Sequence, residues 1–407
     1  LIEMRWRGVK VDTNKTEQSI VELKKKEIDC IKEIKRKWGL NVDIWASASV
    51  AKVFDKAGLT YPRTEKTRAP SFTGQWLEQL DHELPKLVVQ ARKYNKIHST
   101  FLEGMILEHV HKGRIHGQMH PLRGDSGGTV SGRFSYSTPN LQQVPARDPI
   151  LGPMVRGLFL PEEGCAWGAF DYSQQEPRLT VHYAAQLNLK GAEEAVREYR
   201  DDDADFHQIV ADMAGISRKD AKIINLGLSY GMGKAKLLKQ LGMNELEAEA
   251  LFNNYHKRVP FIKELTQTCS RRAENIGYVK TLLGRKCRFN MFEPRDRKDI
   301  PLRLEEAQKQ YGENLRRAFT YRAFNRLIQG SAADMTKKAM LDLWKEGIVA
   351  HIQVHDELDI SVTNIEETRT ITEIMENCVK LKLPIKVDSE LGSNWGNATQ
   401  TPQQFWS

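Results

Sequence analysis

Apolar residues at Val21, Ile28, Ile31 and Ile34 recur at roughly helical spacing in a charged background, which predicts a long helix over 14–37. A second amphipathic pattern covers 75–111, with a break expected at Pro85. Between them RTEKTRAPSFTG (63–74) reads as a polar loop. Two helices flanking a basic loop suit a grip on a duplex backbone, and a plain helical subdomain fits this segment equally well. From Arg114 to Pro145 the glycines at 124, 127, 128 and 132 punctuate a Ser-, Thr- and Asn-rich stretch of loops and short strands. GCAWGAFDYSQ (164–174) is an apolar run ending at Asp171 and reads as a buried strand. Residues 176–275 read as mostly helical, with breaks at Gly191, Gly215 and Pro260. GYVKTLLGRKCRF (277–289) is β-like, 303–345 returns to helix, and AHIQVHDELDISV (350–362) predicts a hairpin turning near Asp356 and Glu357. No internal repeat or low-complexity tract interrupts this order.

Three of these segments carry candidate chemistry. Asp171 ends one apolar strand, and Asp356 and Glu357 sit between two others, so neighbouring strands would gather these acids at one sheet edge. Adjacent buried carboxylates repel unless cations neutralise them. Mg²⁺ takes oxygen ligands, usually one or two carboxylates plus substrate phosphates. Two such ions roughly 3.5–4 Å apart activate a 3′-hydroxyl and stabilise leaving pyrophosphate. A solvated acidic turn is the plainer reading of VHDEL by itself. In SRKDAKIINLGLSYGMG (217–233), Arg218, Lys222, Leu226 and Tyr230 recur every four residues. They form a slowly rotating stripe about 18 Å long, cationic at one end and aromatic at the other. A nucleoside triphosphate fits along it, with Lys222 also placed to act as a general acid towards pyrophosphate. A surface helix with scattered bases is the alternative. SGRFSYSTPNLQQVP (131–145) is a polar loop offering Arg133 and Gln143, and FNRLIQGSAAD (324–334) offers Gln329. Such donors can meet the acceptors that every base pair presents in the minor groove.

Composition adds a partner class. Lys and Arg total 61 against 53 Asp and Glu, a net charge of +8, with a pI near 9.0. A basic surplus suits a polyanion. The five cysteines (30, 165, 269, 287, 378) form no C-x-x-C pair, which argues against a zinc ribbon or disulfide framework and for idle thiols in a reducing compartment. No apolar stretch of roughly 18 residues suggests a membrane span. The opening LIEMRWRGVK has neither Met nor a signal-peptide core and reads as the interior of a longer chain.

The order and spacing of the motifs say more than any one of them. DYSQQEPR (171–178), R-x₃-K-x₇-Y-G (218–231) and VHDEL (354–358) resemble motifs A, B and C of the family A DNA polymerases. SGRFSYSTPNLQQVP resembles the stretch before motif A, NRLIQGSAAD the helix before motif C, and LIEMRWRGVKVD the start of the thumb. The resemblance implies an α+β right-hand architecture with a mainly antiparallel palm sheet, helical fingers and a helical thumb. Residues 1–112 would be thumb, 113–180 palm, 181–315 fingers and 316–407 the rest of the palm. It further implies Asp171, Asp356 and the Tyr172 carbonyl as ligands of two Mg²⁺ ions (or Mn²⁺ in their place), with Glu357 as accessory acid. Arg218, Lys222 and His207 would meet the triphosphate, and Gln174, Leu226 and Tyr230 the rest of the dNTP. Arg133, Asn140, Gln143, Asn325, Gln329 and His355 would lie along primer–template DNA. Glu176 matches the steric gate that excludes a ribose 2′-hydroxyl, so deoxynucleotides are the expected substrates. A monomer in the cytoplasm of a bacterium or phage-infected host is implied, with phage origin suggested by the motif departures.

Those departures are specific. Leu226 stands where the family usually has Phe or Tyr, which predicts poor acceptance of dideoxynucleotides. Gln175 and Pro177 replace an apolar pair, and Pro177 suggests that a helix begins there. Tyr321 occupies a frequent Arg position, with Arg322 one place along. Asp388-Ser-Glu390 and Asp81-His-Glu83 have the spacing of the family's proofreading pair but fall in palm-like and thumb-like segments, so no proofreading is expected. Reverse transcription on the same scaffold and a non-catalytic nucleic-acid-binding module are the rival readings. GMGK (231–234) lacks the full G-x₄-G-K-[ST] of a P-loop.

Overall fold

The computed structural model describes residues 1–122, 127–146, 148, 151–201, 205–229 and 244–407. They form two compact units. The first comprises Leu1–Gln118, Ser137–Gly168 and Leu391–Gln400; the second comprises Met119–Tyr136, Ala169–Glu390 and Thr401–Ser407.

In the first unit, Val9–Val11 pairs antiparallel with Arg114–Ile115 on one side and Phe159–Leu160 on the other. Asp12 then caps the helix Thr13–Trp38, accepting a hydrogen bond from the Lys15 amide at 2.9 Å. The predicted helix is present, but its buried stripe is Thr16, Ile20, Leu23, Cys30 and Ile34. Val21 and Ile28 face solvent, 70% and 49% exposed, so two of the four apolar positions used to find the helix are not its core face. Pro85 does not break the second pattern. It lies in the first turn of Glu83–Lys96, where a missing N–H costs no helical bond. That helix runs on into the wider coil Ile97–Leu107. Trp395 is 3% exposed, stacks on Trp167 at 5.9 Å and carries the Arg156 guanidinium 4.3 Å above its ring. Trp395→Ala is expected to cost about 4 kcal/mol, from the lost burial and the cavity left behind. Urea unfolding checks this; a loss under about 1 kcal/mol would mean that the ring is not part of the unit's core.

A four-stranded sheet, most of whose residues belong to the second unit, runs in the order Ile352–Val354, Glu357–Val362, Ala166–Tyr172, Val387–Gly392. The first two strands are the predicted hairpin, antiparallel with Val354 opposite Glu357. Ala166–Tyr172 is buried along almost its whole length. The helix Ala323–Lys345 packs against Gln175–Gln186, Pro260–Ile276 and Ile365–Asn377. Its Ser331, fully buried, accepts the close approach of Tyr183 Oη at 2.7 Å. Gly215 closes Phe206–Ala214 in the left-handed conformation, and Pro260 opens Pro260–Ile276 at its first turn.

The single helix expected over 303–345 is not one element. Leu304–Tyr311 ends at Gly312, Leu315–Arg317 is a strand, and the long helix starts only at Ala323. Leu315–Arg317 joins Met291–Pro294 and Leu302–Arg303 in a three-stranded antiparallel sheet. Its strands are too short for a period-2 pattern to emerge. No helix among the described residues is long and apolar enough to cross a membrane.

Candidate active site

Strand Ala166–Tyr172 delivers Asp171 beside the turn of the Ile352–Val362 hairpin, where the Tyr172 amide donates to the Asp356 carbonyl at 3.3 Å. That turn requires His355 in the left-handed region at φ 57°, uncommon for a residue with a Cβ. Buried Gln353 holds it there, its Nε2 donating to the His355 carbonyl at 2.5 Å, while its own amide donates to Tyr136 Oη at 3.2 Å. The strand end and the hairpin turn thus bring two carboxylates together from 185 residues apart in the chain.

Asp171 Oδ1 is buried and has no hydrogen-bond partner. Burial pushes the Asp171 carboxyl up to about 8, and the charges of Asp356, Glu357, Asp388 and Glu390 add to the shift. Asp356 is also raised by burial, with Arg133 and His355 working against the shift. An orphaned buried oxygen among like charges is a destabilised arrangement that a hard cation would relieve. Among the described residues no three His, Cys, Asp or Glu side chains converge as a ready chelate. That agrees with the Mg²⁺ habit of taking one or two carboxylates and completing its shell with water and phosphate. The acids present therefore fit such an ion.

The same shift has a consequence for stability. Asp171's folded pKa, about 8, lies above its ordinary 3.8. Across that window the folded chain keeps a proton that the unfolded chain has lost, so stability falls as pH rises. In EDTA, wild type should therefore unfold at lower urea at about pH 8 than at about pH 5, and Asp171→Asn should show less of this fall. Parallel behaviour of the two proteins would place the titrating group elsewhere.

Glu176 lies in the first turn of Gln175–Gln186. It is ion-paired with Arg133, and burial raises its pKa despite that cation. Arg133 thus joins Glu176 to the acids, and its charge also bears on His355 and Asp356. Gln174 caps the helix in the left-handed conformation and accepts from Tyr199 Oη at 3.1 Å. Gln175 is 3% exposed, and its Nε2 donates to Thr336 Oγ1 at 3.1 Å, which accounts for a polar residue at an otherwise apolar position. Pro177 follows two residues inside the helix, whose start is Gln175.

Helix Arg218–Ser229 carries exposed Arg218 and Lys222. Asp205 holds Arg218 Nε at 2.7 Å and accepts the His207 amide at 2.8 Å, capping Phe206–Ala214. Asn225 Nδ2 donates to His207 Nδ1 at 3.1 Å, so His207 packs against this helix, and burial lowers its pKa. Leu226 lies in the helix with its side chain outside the described residues, as is Tyr230 entirely. Asn325 and Gln329 are half-buried one turn apart on Ala323–Lys345. Asn140 and Gln143 belong to the first unit, where Asn140 caps the short turn Leu141–Gln143.

Sequence reasoning missed two contributors. Asp388 and Glu390, weighed only as a proofreading pair, lie on Val387–Gly392 beside Asp171's strand and add to its field. Their i, i+2 spacing was the available signal, since it places both on one face of a strand. Asp205 was also overlooked, although an Asp two residues before a His at a helix start is a capping pattern. Asp81 and Glu83 make surface ion pairs with Lys86 and Lys37.

The sequence profile of DNA polymerase family A matches residues 13–397. The chain belongs to DNA polymerase family A. It is 36% identical to a DNA-directed DNA polymerase of Pseudomonas phage M6, over 98% of this chain and 64% of that protein. It is 33% identical to the thermostable DNA polymerase I of Thermus filiformis, over 98% of this chain and 47% of the relative. It therefore spans about two thirds or less of these relatives' length. Among solved structures, the POL domain of Pol1 from M. smegmatis, in complex with DNA primer-template and dNTP, superposes with a TM-score of 0.77 at 26% identity, covering 97% of this chain and 69% of that one. This family A chain thus has the mixed helix and antiparallel-sheet fold of a Pol I polymerase domain.

Proposed function

We propose that this chain is a template-directed DNA polymerase that adds dNTPs to a primer 3′-hydroxyl. The observation that carries the reading is Asp171, half-buried with a buried, orphaned oxygen beside Asp356 and pushed up to about 8. Asp171, Asp356 and the Tyr172 carbonyl would hold two Mg²⁺ ions, which when bound supply an activated hydroxyl and neutralise the leaving group. Glu357 and the Asp388–Glu390 face deepen the negative field that attracts the cations. Arg218 leaves Asp205 to meet the triphosphate, with Lys222 and His207 alongside, and Lys222 protonates the leaving pyrophosphate. Tyr230 and Leu226 meet base and sugar. Arg133, Asn325, Gln329 and His355 line primer–template DNA, joined by Asn140 and Gln143. Residues 1–112 serve as thumb, 113–180 and 316–407 as palm, and 181–315 as fingers. The chain works as a monomer in the cytoplasm of a bacterium or phage-infected host.

Primer extension on a primed DNA template in Mg²⁺ tests the reading. Failure of the wild type on every primed template would sink it and leave a non-catalytic nucleic-acid-binding module.

A further inference from the structure

The short hairpin of Tyr278–Lys280 and Lys286–Arg288 carries none of the residues assigned to DNA, nucleotide or metal, yet its tip grips two segments that do. At that tip the Thr281 amide donates to the Arg285 carbonyl at 2.9 Å, and Gly284, at φ 89°, turns the chain between them. The Arg285 guanidinium reaches out from the turn. Its Nη2 donates to the Gly330 carbonyl on the helix Ala323–Lys345 at 2.9 Å and to the Ser131 carbonyl at 2.8 Å. Its Nε donates to Asp334 Oδ1 at 3.1 Å. Asp334 is 6% exposed, and its other oxygen accepts the Leu283 amide at 3.2 Å, so one carboxylate holds both the guanidinium and the turn that bears it. Ser331 Oγ adds a further tie, accepting the Leu282 amide at 3.1 Å.

The backbone on both sides is cleared for this side chain. Gly132, at φ 85°, lies so close that a Cβ there would stand 2.7 Å from Arg285 Cζ. A Cβ on Gly330 would stand 2.7 Å from Thr281 Cγ2 and 3.1 Å from Arg285 Nη2. A planar fork of donors can serve a carboxylate and two carbonyls at once, which a single ammonium cannot.

Bracing the hairpin against the helix needs only the bonds to Asp334, Ser331 and Gly330. The bond to Ser131 does something else. It holds a loop, and that loop carries Arg133. Ser131 Oγ accepts the Arg133 amide at 3.4 Å, and Thr129 Oγ1 donates to the Arg133 carbonyl at 2.8 Å. The Arg133 side chain in turn pairs with Glu176, and its charge bears on Asp356. Gln329 directly precedes Gly330, the other anchor.

We propose that Arg285 is a positioning residue for dNTP incorporation: it pins the loop 129–133 to the helix Ala323–Lys345 and so fixes the Arg133 guanidinium against Glu176. The role deepens the polymerase reading and rests on it for what Arg133 does.

The test measures single-turnover incorporation of a correct dNTP by Arg285→Lys in two backgrounds, wild type and Arg133→Ala, with urea unfolding of each protein. Lys keeps the charge and loses the fork. Arg285→Lys should lower incorporation efficiency about tenfold in the wild-type background, and less than about twofold where Arg133 is already Ala, because the effect passes through Arg133. Gly132→Ala leaves Arg285 in place and drives a methyl group at its guanidinium; it should show the same dependence on Arg133, and it carries the comparison if Arg285→Lys does not fold. Losses of equal size in the two backgrounds, or a lower urea midpoint with unchanged incorporation, would overturn the proposal and leave Arg285 a brace of the fold. Wild type that extends a primer while the losses add rejects this role alone, whereas wild type that extends no primed template rejects the polymerase reading with it.

Discussion

Asp356→Ala is expected to lower single-turnover primer extension by about a thousandfold, ~4 kcal/mol of transition-state stabilisation. The electrostatics give the reason. Asp171 and Asp356 are both half-buried, burial raises the pKa of each, and the charge of Asp356 raises the cost of charging Asp171 further. That cost is tolerable only where a dication answers it, so deleting one carboxylate removes both a proposed ligand and part of the field that attracts the ion. Primer–template affinity measured in EDTA should hold or rise, because the substitution removes negative charge from a surface that faces phosphates. Rapid-quench extension beside anisotropy titrations separates the two effects. Extension within tenfold of wild type would mean that Asp356 is not a metal ligand, and loss of affinity in proportion to rate would point to a damaged fold.

Glu176→Ala is expected to raise ribonucleotide incorporation, relative to deoxynucleotide, by about a hundredfold. Glu176 is suited to a gate because its position is over-determined: it is fixed on the first turn of Gln175–Gln186, largely buried, and tied to Arg133. Truncation opens the space and also leaves the Arg133 guanidinium without its partner beside Asp356, so dNTP efficiency should fall somewhat too. Glu176→Gln keeps the volume and removes the charge. It should retain the discrimination if bulk is the gate. Relaxation by Gln as large as that by Ala would show that the Arg133 pair, and not the side chain's size, excludes the 2′-hydroxyl.

Local signals were easiest to read. The apolar run at 164–174 contains the strand Ala166–Tyr172 with Asp171 near its end, and 350–362 forms the expected hairpin with Asp356 in its turn. The cap-and-break glycines and Pro260 also act where expected. Pro85 was misjudged because a proline breaks a helix only beyond its first turn, and the helix start depended on His82 capping it. The 303–345 segment was misjudged because Leu304–Tyr311 and Ala323–Lys345 are both good helices, and the strand between them exists only through its pairing with Met291–Pro294.

The sequence by itself determined the family, the order of its motifs and the identity of the acids and cations at the site, since these depend on residue type and on neighbours a few positions away. Only the tertiary structure decided that Arg133 pairs with Glu176, that Asp388 and Glu390 join Asp171, and that Asp205 holds Arg218. It also decided that Asp171's oxygen is buried without a partner. Those facts are set by burial and by contacts between residues far apart in the chain, and a carboxylate's pKa depends on its surroundings in space, which no local pattern of residues encodes.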